Sequence, residues 1–563
     1  MNIQITIKRA ALLLTVSGMA VFNASADNYW WNPDDITGSG TWDSGTTAAW
    51  SPDLAGGARQ TITTIISDTI TFSATNVPVG TVNIVSSQTA AYLDIKTGNN
   101  GINFTGANIY LNERLMVGSS ATFNNYVDTQ RLTFNATNLT VTFNGGGQIR
   151  SGNNDGSGNT ATAKIVFTGG TFNVTNNGWR LDYGNPDNPL TGAGVFIKSG
   201  ATLNIAGLTY VGWDTAGLVT VDGGLLQQSA SNNELRIGAS KTGRVILNSG
   251  TILSSGTGIG HGLNVGGGNK GDLEVYGGLL RATRLNLNGN TGNFNATYLQ
   301  DGGVAEINTL TLGYARGVTA TSGTALVDLR GGALKLGAGG IVNSGSVGTE
   351  YSYAVSLGGG TLGSTAAWST SVDLLLSNFY GGVTFDTGGG DITLSGVLSG
   401  FGVFTKTGGG TLLLSGTNTY NGDAVVSAGT LQVDGVLTLG TLTLTLDGAD
   451  NSALTGGGSV TLGALNIDTS TSAGGSVWQL IDLTGGLRLS AFTVSGYTET
   501  SAGSGVWSNG AFEFDLGTGY LSVIPEPSTW ALLVTGVALI ILSACLRRAF
   551  FHRRLNQGKL SRN

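Results

Sequence analysis

The sequence predicts an all-β chain wound as a parallel β-helix (β-solenoid), set between a signal peptide and a single C-terminal transmembrane helix. Three observations predict it. A glycine pair, or its equivalent, returns every 25–29 residues through the middle of the chain. Short segments between the pairs alternate apolar and polar side chains, the mark of strands with one buried face. Glycine supplies 93 of 563 residues while charged residues supply only 11%. That balance suits many short strands joined by tight turns.

Residues 1–26 read as a secretory signal. Lys8 and Arg9 precede the 13-residue apolar run Ala10 to Phe22. Ala24 and Ala26 then place small residues where a signal peptidase cuts, with cleavage expected after Ala26. Residues 27–60 differ in style and hold Trp30, Trp31, Trp42 and Trp50. Such a cluster serves either to cap the first turn or to stack on sugar rings. The cap is the preferred reading, because a solenoid end otherwise exposes strand edges.

The repeat body spans 61–471. Its corner series includes Gly223-Gly224, Ser249-Gly250, Gly277-Gly278, Gly302-Gly303, Gly331-Gly332 and Gly359-Gly360. From Gly224 the second residue advances by 26, 28, 25, 29 and 28. Two strand series keep step. One runs Leu208 to Gly212, Leu235 to Gly238, Leu263 to Gly266, Leu285 to Asn288 and Leu310 to Gly313. The other runs Leu218 to Val221, Arg244 to Leu247, Leu273 to Val275 and Leu326 to Leu329. Three short strands per period predict a coil in which each strand stacks on its equivalent one turn later. A string of immunoglobulin-like sandwiches competes, but its Asn-Gly and Asp-Gly hairpin signals do not dominate.

Residues 472–523, with Trp478, Tyr497, Trp507, Phe512 and Phe514, are expected to close the far end. Then Pro525-Glu526-Pro527 leads into an uncharged stretch, and about 530–546 is expected as a membrane helix of 17 residues, at the short end of a span. Arg547, Arg548, Arg553 and Arg554 follow, with a short cytoplasmic tail at 555–563. Positive residues stay on the cytoplasmic side, which puts the body outside.

Without both ends the chain keeps 19 Lys and Arg against 33 Asp and Glu, close to −14. No basic stripe is present to neutralise phosphates, so no nucleic-acid partner is expected. Cys545 falls in the tail, which leaves no disulfide framework in the body. His261 is the body's one histidine, too few for a triad or a multi-histidine metal site. Asp272 with Glu274, or Asp301 with Glu306, could form a glycosidase pair. Each reads more simply as solvated surface charge, as do Lys198, Lys241 and Lys270. No catalytic residue, metal or cofactor is therefore assigned.

Two resemblances add to this. The Pro-Glu-Pro motif, apolar helix and arginines, within 524–554, resemble the PEP-CTERM sorting domain. That resemblance implies an exosortase-type membrane protease as partner, at least transient residence in the inner membrane, and extracellular polysaccharide as a candidate partner. Residues Gly408-Gly409-Gly410-Thr411-Leu412 to Asn418-Thr419-Tyr420-Asn421-Gly422, continuing to Gly429-Thr430-Leu431, resemble the autotransporter-associated β-strand repeat over about 403–433. The match is taken as one copy the size of one turn, with Gly389 to Gly396 as a degenerate neighbour. It implies a β-helix and no chemistry. The expected function is a non-enzymatic surface or matrix protein; the alternative is a carbohydrate-active β-helix enzyme.

Overall fold

The computed structural model describes strand backbones from Trp30 to Phe167, most of residues 169–524 with their side chains, and a helix at 534–548. The body is a parallel β-solenoid of about 11 turns, three faces to a turn. Parallel strands need a long crossover, and here the other two faces of each turn provide it.

Each face is a ladder of equivalents. On the first, Val195, Val219, Val245, Leu273, Tyr298, Val327 and Val355 lie side by side in successive turns. On the second, the column runs Leu203, Leu226, Ile252, Leu280, Ala305, Leu334, Leu362 and Phe385. The third carries Leu181, Val211, Ile237, Val265, Leu287 and Leu312. All of these side chains are buried and belong to one continuous core. The alternation in the sequence therefore points one parity inward on every face, as expected.

Glycine governs the corner between the first and second faces. Gly250, Gly278, Gly303, Gly332 and Gly360 stack there with φ between 63° and 85°. A Cβ on Gly332 would lie 2.5 Å from backbone atoms of Gly302 in the turn below. The sign of φ and the close stacking both exclude a side chain. At another corner Asn288, with φ 52°, replaces the glycine found at Gly266 and Gly313. A short amide tolerates the left-handed region better than other side chains do.

The turns shorten partway along. Down the second face the step is 26, 28, 25, 29 and 28 residues from Leu226 to Leu362, matching the glycine series. It then falls to 23, 21, 20 and 18 from Leu362 through Phe385, Lys406 and Val426 to Leu444.

At the N-terminal end the tryptophan segments supply backbone to the sheet. Trp30–Trp31 pairs antiparallel with Trp50–Ser51 and parallel with Thr69–Ala74, and Gly40–Trp42 pairs with Gly80–Ile84. At the other end Val477–Gln479, Thr498–Glu499, Val506–Ser508, Phe512–Asp515 and Tyr520–Val523 form an antiparallel sheet. Its Trp478, Phe514 and Leu521 are buried with the solenoid core.

The helix at 534–548 has exposed apolar side chains from Val534 to Leu546 and ends on Arg547 and Arg548. At 1.5 Å per residue it measures about 22 Å, against about 30 Å of bilayer hydrocarbon. No helix among the described residues is long and apolar enough to cross a membrane. The span expected at 530–546 is thus described only from 534 onward.

Candidate functional site

A groove on the described surface runs over the second face. It encloses about 480 Å³ and is lined by Gln227, Leu253, Arg281, Glu306, Asn308 and Thr365, among others. Gln227, Leu253, Arg281 and Glu306 are successive members of one outward ladder. Outward parity thus puts amide, alkyl, guanidinium and carboxylate groups in a row one strand spacing apart. Arg281 Nε donates to Glu306 Oε2 at 2.7 Å. Beneath them Ser254 donates to Gln228 Oε1 at 2.9 Å, and Gln228 Nε2 donates to the Asn233 carbonyl at 3.1 Å. The groove can hydrogen-bond hydroxyl groups. Glu306 is the one carboxylate in its lining, and it is already engaged by Arg281.

Asp272 and Glu274, expected from sequence as solvated charge, are instead buried on the shared outer side of Gly271–Val275, each held by a basic side chain. Asp272 pairs with Lys270 at 3.2 Å. Glu274 accepts from Arg244 at 2.7 Å and from the Tyr276 hydroxyl at 2.9 Å. Asp301 stands at the corner, opposite Gly331, while Glu306 lies on the next face. Lys198 pairs with Asp222. That contact, opposed by burial and aided by Ser249, holds Asp222 below the usual carboxylate range. Lys241 is an exposed turn residue whose backbone N–H donates to the Gly212 carbonyl at 2.9 Å. The His261 carbonyl accepts from Asn286 Nδ2 at 3.3 Å, just before the strand Gly262–Val265. No cluster of metal-ligating side chains occurs among the described residues. Ala24, Ala26, Pro525, Glu526, Pro527, Arg553 and Arg554 lie outside the described residues, and Trp30, Trp31, Trp42 and Trp50 are described as backbone only.

The repeat signature has the clearest geometry. Lys406 occupies the inward column between Phe385 and Val426 and is fully buried. Its Nζ donates to Thr387 Oγ1 at 2.7 Å, to the Gly408 carbonyl at 2.6 Å and to the Ala428 carbonyl at 2.9 Å, with Thr407 O at 3.2 Å. Burial pushes its ammonium down to about 8, while Asp386 and Asp391 act the other way. Asn418 Nδ2 donates to the carbonyls of Gly416 and Val436 at 3.1 and 2.9 Å, and its Oδ1 accepts from Leu398 N at 2.9 Å. The buried Tyr420 hydroxyl lies 2.5 and 2.6 Å from the carbonyls of Gly402 and Asp423. These side chains tie one turn to the next through the backbone.

The segment is longer than one turn. Phe404–Thr407 and Ala424–Val426 are second-face neighbours, and Thr411–Leu414 and Thr430–Val433 are third-face neighbours. The two Gly-Thr-Leu triplets are therefore equivalent positions in consecutive turns. Gly389 to Gly396 supplies the preceding third-face strand, with Ile392 beside Leu412.

A family model described as the passenger-associated-transport-repeat matches residues 404–433. No curated protein and no solved structure matches the chain. The match fits the autotransporter-associated repeat. A β-helical body carrying a passenger-associated repeat suggests an exported surface or passenger protein.

Sequence reasoning missed a polar network on the outer side of the third face. Glu234 accepts from Arg236 at 2.5 Å and from Asn264, and Asn286 Nδ2 donates to Asn264 Oδ1 at 2.8 Å. The Arg236 guanidinium also lies 5.1 Å from the Tyr210 ring centroid. Alternation placed these residues outward, but it carried no sign that they are covered.

Proposed function

We propose that this chain is an exported, non-enzymatic rod of the cell surface or extracellular matrix. It enters by signal peptidase and is sorted by an exosortase-type membrane protease through Pro525-Glu526-Pro527 and the apolar helix. One observation carries the reading. The signature residues Lys406, Asn418 and Tyr420 all fasten backbone to backbone, so the recognised repeat is spent on building the rod. The arginines after the helix and the acidic, cysteine-free body support the same route. Extracellular polysaccharide is the partner that such a route brings within reach.

The intact mass of the protein isolated from its native cells tests the sorting step. A mature chain beginning after Ala26 and ending near Pro525 is expected. A chain that retains Arg547 to Arg554 in every fraction would overturn processing at the tail. Fractionation tests the location: recovery in the cytoplasm alone would overturn export.

A further inference from the structure

We propose that Phe379, Tyr380 and Phe401 form a stacking platform for the pyranose rings of a neutral polysaccharide, a site that deepens the matrix role and rests on it. The first shortened turn carries a six-residue loop, 377–382, between Leu374–Leu376 and Val383–Asp386. The next turn crosses the same corner with three residues, 401–403, between Leu398–Gly400 and Phe404–Thr407. The longer loop holds two aromatic side chains away from the core. Phe379 is 87% exposed, Tyr380 52% and Phe401 69%. Inward packing at this corner is already complete, because Leu376 and Phe404 are fully buried there. The exposed rings are therefore additions to the solenoid pattern.

Their arrangement is ordered. The Phe379 and Tyr380 centroids lie 6.5 Å apart. Arg330 stands 5.1 Å over the Tyr380 ring and is itself held by Asp328 at 2.7 Å. Phe401 follows one turn on, where an added Cβ at Gly402 would lie 2.5 Å from the Ser377 carbonyl. Adjacent turns are about 4.8 Å apart, so the loop that carries Phe401 follows the loop of Phe379 and Tyr380 about one strand spacing along the rod, with the Phe379 and Tyr380 rings tilted 47° to each other. Arg330, held by Asp328, supplies a hydrogen-bonding group beside the Tyr380 ring.

Size and charge select the occupant. With about 200 Å² per aromatic side chain, the exposed fractions amount to about 400 Å². A stable protein interface needs about 800 Å² on each partner, so a second copy of the chain has too little to hold. A body charge near −14 works against nucleic acid, anionic lipid and uronate polymers alike. A neutral sugar ring, with an apolar face and a polar edge, fits both conditions.

The test is affinity electrophoresis of the full chain in gels containing a soluble neutral glucan, polygalacturonate or no polymer. Sedimentation with phosphatidylcholine–phosphatidylglycerol vesicles and a measurement of solution mass run in parallel. Retardation by the glucan is expected. The Phe379→Ala/Phe401→Ala variant should lose roughly tenfold in affinity per ring, about 1.4 kcal/mol each, with unchanged melting. The Phe379→Trp/Phe401→Trp variant should retain binding. Equal retardation of the alanine variant would overturn the platform while leaving the matrix role standing. So would loss of vesicle binding or of dimerisation in its place. A wild-type chain that no glucan retards, yet is recovered from the native matrix, also sinks the platform alone. Absence from the native matrix sinks the role itself.

Discussion

Replacing Lys406 with Met removes the ammonium while keeping most of the side chain's length. Lys406 is fully buried, and three of its acceptors lie within 2.9 Å: Thr387 Oγ1 and the carbonyls of Gly408 and Ala428. Each buried acceptor left unpaired costs about 1–3 kcal/mol. The single proton of the Thr387 hydroxyl can go to the Thr407 or the Gly408 carbonyl, at 3.0 and 3.2 Å, which cushions part of the loss. The methionine gains apolar contact with Phe385 and Val426, its neighbours in the column. Removing the charge also relieves the desolvation that lowers the ammonium's pKa, so a net loss of only about 1 kcal/mol is expected at pH 7, read as an earlier urea midpoint. The pH dependence carries the opposite sign from that of a surface ion pair. The folded ammonium titrates at about 8, below its ordinary value of 10.5. Between those values the unfolded chain binds more protons than the native one, so wild-type stability rises with pH through that window. The Lys406→Met variant lacks this rise, and its deficit should widen from pH 8 to pH 10.5. An unchanged urea midpoint at pH 7, or a deficit that narrows over that range, would refute the reasoning.

Tyr420→Phe removes a hydroxyl 2.5 Å from the Gly402 carbonyl, and a loss of about 1–2 kcal/mol in urea unfolding is expected. Gly332→Ala puts a Cβ 2.5 Å from Gly302 at φ 68°, and should cost at least about 2 kcal/mol, visible as a lowered Tm. Glu306→Gln breaks the ion pair with the mostly exposed Arg281 and should change stability by less than about 1 kcal/mol. The wild-type full chain should release no reducing ends from neutral or acidic polysaccharides. Turnover that Glu306→Gln abolishes would establish the enzymatic alternative.

The repeat body was legible because backbone geometry constrains residue type directly. The stacked corner accepts only glycine at Gly250, Gly278, Gly303, Gly332 and Gly360, so the period is written in the sequence. Lys406 was harder to place, since a charged side chain usually faces water. The signal that could have placed it is parity: Lys406 stands two residues from Phe404, which is buried. The extent of the recognised repeat was misjudged, although the 19-residue step from Thr411 to Thr430 already marked a shorter turn. The buried outer network from Glu234 to Asn286 left no such trace, because the parts of the chain that cover a strand's outer side are set by loop geometry.

Shorter turns explain why the signature has the residues it has. A turn of 18–21 residues leaves few positions at its corners, and parallel neighbours there cannot pair every backbone group. Side chains make up the difference. Lys406 takes the carbonyls of Gly408 and Ala428, and Asn418 bridges Gly416, Val436 and Leu398. The aspartates do the complementary task for N–H groups one turn on. Asp373 accepts from Val397 N at 2.7 Å, Asp391 from Thr411 N at 2.6 Å, Asp423 from Thr441 N at 2.7 Å and Asp434 from Gly457 N at 3.1 Å. The acidic residues of this half of the rod thus act as caps on successive corners. In a solenoid each turn rests only on its neighbours, so these contacts set the local stability of the narrow half without any disulfide. The aromatic trio Phe385, Phe404 and Tyr420, with centroids 5.6 and 5.4 Å apart, fills the reduced cross-section. Phe379, Tyr380 and Phe401, by contrast, stand exposed on the loops that join the first face to the second.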